Sequence, residues 1–545
     1  MPRLLAVLLS GLFSLSLFAQ QAFLVSAVRP KQLIVDAGAT ATFETTVRNG
    51  TGTMATDARI VYELTGEATI ERLEDVGTWQ CTIESKTAVC TNPFTMMSED
   101  RIDVIVRAGA TNGGASQLRM SAFSAQQQVI GEQHIAKGTL QSYHLIAVTT
   151  TADSGPGSLR AAIAEANGTN TAKIEFQLPA PVPSEGWFTI MPESPLPPIT
   201  AESVLIDGTS QTRLTGDTNT RGPEIAIDGR HAHRGLEVHS PCMSRVYGLT
   251  LGHFDANQGL WVTKSRECTA LGPFDVTTRE VVGNYIGTDP TGTTAWPNRR
   301  GLRGDFGAGR IANNVISGNT YSGMWIWITE GRFDSYTIED NLFGVGADGV
   351  TPLPNGAAGM LFGDRVSADV RRNVIANHPG MGIALARGGL TFVGIRQNSM
   401  RDNGGIGIDW GVDGVSPFGD GRNPDPPVLL ASRYDSASNR TYFTFRWNQY
   451  RFPGPNPSFD RFDFYSNRGP DGDGETWIGE GNTAFVAEGS YEAWVTGDHR
   501  GKWVNAAVTS VPQFGAAPID GEAVIPYPVF GEDSTSEFSN AVKVD

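Results

Sequence analysis

Two stretches, NYIGTDPTGTTAWPN at residues 284–298 and NLFGVGADGVTPLPN at residues 341–355, align without a gap at an offset of 57 residues. Asparagine, glycine, threonine and proline recur at the same places in both. Shorter phrases keep the opening asparagine, and these asparagines fall at residues 284, 314, 341, 373 and 398, in steps of 30, 27, 32 and 25 residues. A repeat of this length indicates a solenoid, in which each repeat forms one coil that packs on the next.

The residues inside each repeat indicate which kind of solenoid forms. Each repeat carries a short apolar run that begins at a glycine and lacks helical periodicity, which predicts strands of about three to five residues. Strands of successive coils would then lie side by side at about 4.8 Å and form long parallel sheets. The sequence therefore predicts an all-β protein built around a parallel β-helix. The runs begin at Gly323, Gly359, Gly382 and Gly405.

Four phrases in this chain resemble a known family. They are TADSGPGSLRAAIAEAN at residues 151–167, IDGTSQ at 206–211, GNYIGTDPTG at 283–292 and NVISGN at 314–319. In this order they resemble the bacterial right-handed parallel β-helix repeat proteins of the pectin-lyase-like class. The resemblance covers about residues 148–420 and implies a right-handed solenoid. It implies no particular reaction, because one fold hosts many functions.

The sequence divides into four predicted segments. Residues 1–22 read as a signal peptide, with a basic start, an apolar middle and a small-residue end. Residues 23–147 alternate as short strands and resemble immunoglobulin-like β-sandwich modules. Residues 148–426 form the predicted β-helix, opened by an amphipathic capping helix at 158–166 that Ser158 can cap. Residues 427–545 form a second predicted β-sandwich.

Charge, hydropathy and cysteines limit the function classes. The formal net charge of −16 argues against a nucleic-acid partner, and after residue 22 no apolar run is long enough to span a bilayer. We expect a monomer that is secreted or held at the cell surface. Export permits disulfides, and the four cysteines fall as two pairs. The expected pairs are Cys81 with Cys90 and Cys242 with Cys268.

The repeated asparagines and the two long loops have structural and functional interpretations. The opening asparagines are expected to stack at one corner of the coil into a ladder of side-chain amides. The loops at 287–298 and 344–355 are expected to project two coils apart, about 10 Å, as walls of a groove. Asp289 and Asp348 in these loops could bind Ca²⁺, or they could simply stabilise turns. No redox or nucleotide cofactor is expected.

A row of charged residues follows the glycine-led strands. If the coils are in register, these residues stand along one edge, and carboxyl groups at such spacings could serve a glycoside hydrolase. In a polysaccharide lyase, the acids could hold Ca²⁺ against a uronate. The alternative is a solvated charged edge. The candidate catalytic residues are Asp305, Glu330, Asp364, Arg387 and Asp409.

Aromatic and basic residues supply candidates for binding. Trp261, Trp325, Trp327 and Trp410 lie on or near strands, and Trp325 and Trp327 share one face because alternate residues point to opposite sides. Such a pair could stack on sugar rings or be buried under a loop. Arg230 and Arg234, in a basic turn, could contact an acidic polysaccharide or remain solvated.

These features support three hypotheses for function. The first is a secreted or surface-associated β-helix protein that binds an extended polymer, namely a polysaccharide. The second is a polysaccharide lyase or glycoside hydrolase that acts through the row of carboxylates. The third is an adhesin or structural surface protein without a carbohydrate ligand.

Overall fold

The computed structural model divides the chain into two compact units, Met1–Tyr143 and His144–Asp545. It describes residues 24–49, 55–94, 99–124, 135–263, 268, 279–305, 309–327, 334–363, 366–386, 391–412, 426–447, 458–487, 490–512, 534–536 and 538–545. The predicted signal peptide lies outside the described residues. The described part is nearly all β-structure, as the sequence predicts.

The first unit is a pair of sheets that share one apolar core. Alternate residues of its strands are buried, as in Ala58–Gly66, where Ile60, Tyr62 and Leu64 point into the core. One sheet has the order β1-β3-β8-β5 and the other β2-β10-β9-β4-β7-β6. The strands are β1 (Leu24–Arg29), β2 (Gln32–Val35), β3 (Thr40–Asn49), β4 (Ala58–Gly66), β5 (Thr69–Glu74), β6 (Gln80–Ile83), β7 (Thr87–Asn92), β8 (Glu99–Arg107), β9 (Ala115–Phe123) and β10 (Ile135–Ser142).

The second unit begins with the solenoid, whose strands run parallel from coil to coil. Its elements are β11 (His144–Val148), α1 (Leu159–Ala166), β12 (Thr171–Phe176), β13 (Phe188–Ile190), β14 (Ser203–Asp207), α2 (Thr209–Thr215), β15 (Ile225–Asp228), β16 (Leu236–Val238), β17 (Met243–Tyr247), β18 (Leu249–Gly252), β19 (Gln258–Thr263), β20 (Arg279–Val282), β21 (Tyr285–Ile286), β22 (Arg300–Asp305), β23 (Gly309–Ala312), β24 (Val315–Ile316), β25 (Met324–Ile326), β26 (Asp334–Glu339), β27 (Leu342–Phe343), β28 (Met360–Phe362), β29 (Val366–Arg371), β30 (Val374–Ala376), β31 (Ile383–Leu385), β32 (Phe392–Arg396), β33 (Ser399–Arg401) and β34 (Ile408–Trp410).

Three parallel sheets line the solenoid. The nine-stranded sheet has the order β11-β12-β14-β17-β20-β23-β26-β29-β32, the eight-stranded sheet β13-β15-β18-β21-β24-β27-β30-β33, and the seven-stranded sheet β16-β19-β22-β25-β28-β31-β34. Successive strands along the chain enter different sheets, and each sheet pairs strands from neighbouring coils. One continuous apolar core fills the interior, with residues such as Ile311, Ile316 and Met324 fully buried. This arrangement is a parallel β-helix.

The predicted asparagine ladder is present along one corner of the coil. Each Nδ2 donates to the Oδ1 of the asparagine on the next coil, at distances of 2.8 to 3.1 Å. The Nδ2 of Asn398, the last member, has no such neighbour, and all five Nδ2 atoms also donate to backbone carbonyls. The five side chains are buried, so their amide groups satisfy one another out of contact with water. The members are Asn284, Asn314, Asn341, Asn373 and Asn398.

A second ladder, which was not predicted from the sequence, runs along another corner. Asn298 donates to Asn319, and Asn319 donates to Asn355, at 3.1 and 2.9 Å. On the next coil a histidine replaces the asparagine: the backbone N of Asn355 donates to Nδ1 of His378 at 3.2 Å. Burial lowers the pKa of His378 from 6.5 to about 4. The imidazole is therefore neutral at physiological pH.

Replacement of His378 by asparagine is expected to remove one source of acid sensitivity. The pKa of His378 is lower in the folded state, so its contribution to stability is complete above about pH 6.5 and is lost as the pH falls towards 4. We expect the stability of the wild type relative to His378→Asn to fall by about 2 to 3 kcal/mol between pH 7 and pH 4. Denaturant unfolding of both proteins at several pH values measures this difference.

Comparison of the wild type with His378→Asn separates the effect of His378 on stability from the effects of other titrating groups. Burial raises the pKa of Asp463 and of Asp473 to about 6, and these carboxyls change the stability in the opposite direction. Their effect is common to both proteins and cancels in the difference. A difference that stays constant from pH 7 to pH 4 would contradict the assignment of a buried, neutral His378.

Each end of the solenoid contacts further structure within this unit. In α1, the Ser158 side chain accepts a hydrogen bond from Ala161 N, as predicted, and Leu159, Ala162 and Ile163 join the solenoid core. At the other end, Met400 N donates to Gly474 O at 2.9 Å, and Phe538 packs against the same core.

The chain ends in an antiparallel sheet. Its order is β35-β36-β39-β38-β37-β40-β41, with β42 also paired to β40, and its core includes Phe443, Phe445 and Phe464. The structure thus has antiparallel sheets on both sides of the β-helix along the chain, as predicted. The strands are β35 (Val428–Asp435), β36 (Arg440–Arg446), β37 (Ser458–Asn467), β38 (Thr476–Ala487), β39 (Ser490–Thr496), β40 (Trp503–Pro512), β41 (Ser534–Thr535) and β42 (Val542–Lys543).

Both predicted disulfides are confirmed. Cys81 and Cys90 face each other on the paired strands β6 and β7, and Cys242 bonds Cys268 across a sequence separation of 26 residues. Disulfides fit a protein that works outside the cell. Among the described residues, no helix is long and apolar enough to cross a membrane.

Candidate functional site

The outer face of the seven-stranded sheet gathers most of the predicted binding residues. Trp261 on β19, Arg303 on β22 and Trp325 on β25 are directly in register on three successive coils. Their neighbours in sequence, such as Met324 and Ile326, point into the core and are fully buried. Because side chains alternate along a strand, Trp261, Arg303 and Trp325 all point outwards. Their spacing along the solenoid axis is about 4.8 Å per coil.

Trp327 lies just beyond β25 and is the most exposed of these indoles. Its backbone N donates to Gly304 O at 3.2 Å, so it continues the parallel register, and it points outwards like Trp325. The side chain is 41% exposed. A Cβ atom at Gly363 on the next coil would come within 2.4 Å of the indole. The absence of a side chain at Gly363 therefore lets the ring lie close to the backbone while part of it stays open to solvent.

Two arginines lie between the aromatic rings. The guanidinium of Arg303 is 4.3 Å from the ring centre of Trp261 and 5.2 Å from that of Trp325. The guanidinium of Arg300 is 4.5 Å from the ring centre of Trp325 and 5.2 Å from that of Tyr321. Rings and cations thus alternate across the surface, an attractive arrangement that fixes the direction of each side chain. We call Trp261, Tyr321, Trp325 and Trp327 the aromatic band, and Arg300 and Arg303 the guanidinium pair.

Among the described residues, Asp305 is the one proposed catalytic acid that lies beside the aromatic band. It is in register with Thr263, and its Oδ1 is 3.4 Å from Nε1 of Trp261. Its Oδ2 is 3.8 Å from the Arg303 guanidinium. Burial raises the pKa of Asp305, while the Thr263 hydroxyl and the arginine act in the opposite direction. A carboxyl with a raised pKa in a surface cleft can act as a proton donor.

The predicted row of acids is only partly described, and its described members do not meet. Asp409 is directly in register with Ala384, in the column of Arg303 and Trp325, whereas Asp305 belongs to the column two residues further along the strand. The two acids are four coils apart, about 19 Å, which exceeds the separation used by glycosidases. Asp409 is also buried. Glu330, Asp364 and Arg387 lie outside the described residues.

The outer face is accessible at its middle coils and closed near its end. Ala384 and Asp409 belong to the outward-facing column, yet they are only 1% and 3% exposed. Trp410 points inwards and packs in the core, unlike Trp261, Trp325 and Trp327. It therefore offers no binding surface. The accessible part of the face is therefore centred on β19, β22 and β25.

The proposed calcium ligands stabilise their own loops. Asp289 Oδ1 accepts hydrogen bonds from the backbone N of Thr293 and of Thr294, both at 3.0 Å. Asp348 Oδ1 accepts from the backbone N of Thr351 at 2.8 Å, and hydrogen bonds to Thr351 and Val350 lower the pKa of Asp348. Among the described residues, no group of three or more histidine, cysteine, aspartate or glutamate side chains could hold a metal ion. The donor set fits turns better than Ca²⁺.

The two long loops touch each other instead of forming the walls of an open groove. Ala347 N in the second loop donates to Gly292 O in the first at 2.9 Å. Strands β21 and β27 are two coils apart, as predicted, but the loops bridge that distance. They leave the solenoid where the chain passes into the seven-stranded sheet, about 17 Å along β22 from Asp305. The expected groove between them is therefore closed at this point.

The predicted basic turn is largely neutralised by nearby acids. Arg230 forms an ion pair with the buried Asp228 at 2.7 Å, and His233 bonds Asp255 on the next coil at 2.8 Å. Arg234 lies 3.9 Å from Glu237. This turn therefore carries less positive charge than its sequence suggests, and it has less capacity to bind an acidic polymer.

Comparisons with known proteins give no further information about the site. No protein family matches the chain, and no curated protein matches its sequence. Solved structures of single domains are similar to part of it. They include a CARDB domain from Pyrococcus furiosus (10% identity, 22% of this chain and 94% of that chain, TM-score 0.16), the third cohesin of ScaC from Acetivibrio cellulolyticus (10%, 22% and 98%, 0.18) and the OlpA cohesin from Clostridium thermocellum (7%, 22% and 98%, 0.18). At such TM-scores these likenesses carry no argument about this chain.

Proposed function

We propose that this chain is an exported protein of the pectin-lyase-like β-helix class that binds an extended polysaccharide on the outer face of its seven-stranded sheet. The observation that carries the proposal is Trp327, an indole 41% exposed that lies over the bare backbone of Gly363. An exposed ring held in this way presents an apolar surface to a sugar ring.

The neighbours of Trp327 support a site longer than one sugar. The Trp325 ring centre is 6.2 Å away, and Tyr321, earlier on the same coil, is 45% exposed. The Arg300 guanidinium is 5.2 Å from the Tyr321 ring and 4.5 Å from the Trp325 ring, so the ring centres of Tyr321 and Trp327 are at most about 16 Å apart. A chain of several sugars could contact both rings at once.

An enzyme is the second candidate, and Asp305 is the observation that favours it. A carboxyl with a raised pKa beside the aromatic band could protonate a leaving oxygen. A hydrolase would also need a second carboxylate within about 10 Å. In the part of the chain that the structure describes, Asp409 does not meet this condition.

The experiment that tests the proposal is retention of the purified protein on a panel of immobilised polysaccharides, neutral and acidic. We expect specific retention on at least one polymer. The same polymers are incubated with the protein in solution, and both new reducing ends and the absorbance of unsaturated products are followed. Retention without cleavage supports a binding protein, and new ends that disappear in Asp305→Asn support the enzyme. Absence of both retention and cleavage on the whole panel would contradict the proposal.

A further inference from the structure

Within the described part of the chain, few acids balance the positive charge of the guanidinium pair. The chain as a whole is acidic, with a formal net charge of −16. Elsewhere on the solenoid, arginines are paired: Arg310, Arg371 and Arg372 all bond Glu339, at distances of 2.6 to 2.9 Å. Arg303, by contrast, has one acidic contact among the described residues, with Asp305 at 3.8 Å.

Arg300 is the less balanced of the pair. Within the described residues its side chain makes no hydrogen bond or ion pair, and its Nε is buried without an acceptor. The adjacent Arg299 adds a like charge, and burial together with this neighbour lowers the pKa of Arg300. The terminal nitrogens of Arg300 also have no acceptor among the described residues, and a ligand anion that contacts them would accept charge-assisted hydrogen bonds.

The two rings that contact Arg300 hold it in place. With its guanidinium near Trp325 on one side and Tyr321 on the other, the side chain has lost much of its freedom before any ligand arrives. A guanidinium presents parallel N–H groups that match the two oxygens of a carboxylate or a sulfate. Preorganised donors of this kind bind more tightly because less ordering is required.

The geometry points to an anionic sugar as the ligand. We infer that Arg300 and Arg303 bind the carboxylate or sulfate group of an acidic polysaccharide, whose sugar rings lie on Trp327 and Tyr321 on either side. Guanidinium groups contact the rings of Trp261, Trp325 and Tyr321, but Tyr321 and Trp327 are 45% and 41% exposed, so these two rings remain open to a sugar. This inference rests on the proposed function and specifies its class of polymer.

The test compares polymers that differ only in charge. Polygalacturonate is compared with its fully methyl-esterified form, and a sulfated galactan with the same galactan after desulfation, each by titration against the whole protein. We expect at least one charged polymer to bind ten-fold or more tightly than its uncharged partner. Raising the salt concentration should reduce this preference, because the attraction is electrostatic. The pair that shows the preference identifies carboxylate or sulfate as the anionic group.

Variants assign the preference to the guanidinium pair. Arg300→Met keeps a long apolar stem between Tyr321 and Trp325 but removes the charge, and we expect it to reduce the preference to less than three-fold. Arg300→Lys, which keeps the charge but loses the fork of donors, should retain part of it. Arg433→Met is the matched control, because it removes one exposed arginine from the C-terminal sheet. We expect no change in that control.

The outcomes separate this inference from the proposed function. Equal binding of charged and uncharged polymers by the wild type would overturn the inference and leave polysaccharide binding intact. A charge preference that survives both Arg300→Met and Arg303→Met would overturn the assignment to this site. No binding to any polymer in either pair or in the wider panel would overturn the proposed function itself.

Discussion

Replacement of Asn341 by alanine is expected to lower the free energy of unfolding of the His144–Asp545 unit by about 4 kcal/mol. Asn341 is fully buried at the centre of the first ladder. Its Oδ1 accepts from the backbone N and the side chain of Asn314, at 3.0 and 2.8 Å. Its Nδ2 donates to Ile311 O, Glu339 O and Asn373 Oδ1, each at 2.9 Å. Removal of this amide leaves several buried polar groups without partners, and each is unfavourable by about 1 to 3 kcal/mol.

Denaturant unfolding followed by tryptophan fluorescence measures this effect. Ten of the eleven tryptophans lie after residue 143, so the signal reports mainly on this unit. Asn170→Ala is the matched control, since Asn170 lies on the same solenoid but is exposed, and we expect a change below about 0.5 kcal/mol. A loss below about 1 kcal/mol in Asn341→Ala would contradict the view that the ladder holds the coils together.

Replacement of Trp327 by alanine is expected to weaken polysaccharide binding by at least ten-fold, or about 1.4 kcal/mol. The indole is the most exposed large ring of the aromatic band apart from Tyr321, and it has little contact with the core. Aromatic anchors of this kind supply a large share of the binding energy at recognition sites. Because the ring lies outside the core, we expect the variant to fold with nearly unchanged stability. The loss should therefore appear in affinity and not in the midpoint of unfolding.

The fold could be predicted from the sequence because the residues that mark each coil recur at regular intervals. The opening asparagines mark one corner of every coil, and the structure places all five of them in one hydrogen-bonded ladder. Alternation along the strand also indicated correctly that Trp325 and Trp327 face away from Met324 and Ile326. The second ladder had a signal that could have been used, since Asn298 and Asn355 close the two repeated stretches.

The row of acids shows that a sequence repeat does not by itself establish which side chains share a column of the sheet. Asp305 is four residues after Gly301, and Asp409 is four residues after Gly405, where the sequence places the start of the last run. In the structure Gly407 is the equivalent of Gly301, because Ile408 shares the column of Leu302, and Asp409 is only two residues after it. The two acids therefore belong to different columns, and a common position just past the strand does not bring them together. Two glycines, Gly405 and Gly407, precede the last strand, and the sequence repeat does not reveal which of them is equivalent to Gly301.

Contacts between coils could not be predicted from the sequence either. The two long loops were expected about 10 Å apart, but their backbones meet because Ala347 N reaches Gly292 O. The basic turn was expected to contact an acidic polysaccharide or to remain solvated, and the sequence did not show that Asp255 on the next coil bonds His233. The guanidinium pair was missed for the same reason. Nothing in the local sequence shows that Arg300 lies between Tyr321 and Trp325 on the following coil.

We propose above all that the outer face of the seven-stranded sheet binds a polysaccharide. The most direct test is a calorimetric titration of the wild type, Trp327→Ala and Trp494→Ala. The ligand is a polymer on which the wild type is retained. Trp494 is a half-exposed tryptophan on β39 of the C-terminal sheet and serves as the matched control. We expect Trp327→Ala to lose at least ten-fold in affinity and Trp494→Ala to bind like the wild type. Unchanged affinity in Trp327→Ala, or a loss confined to Trp494→Ala, would contradict it.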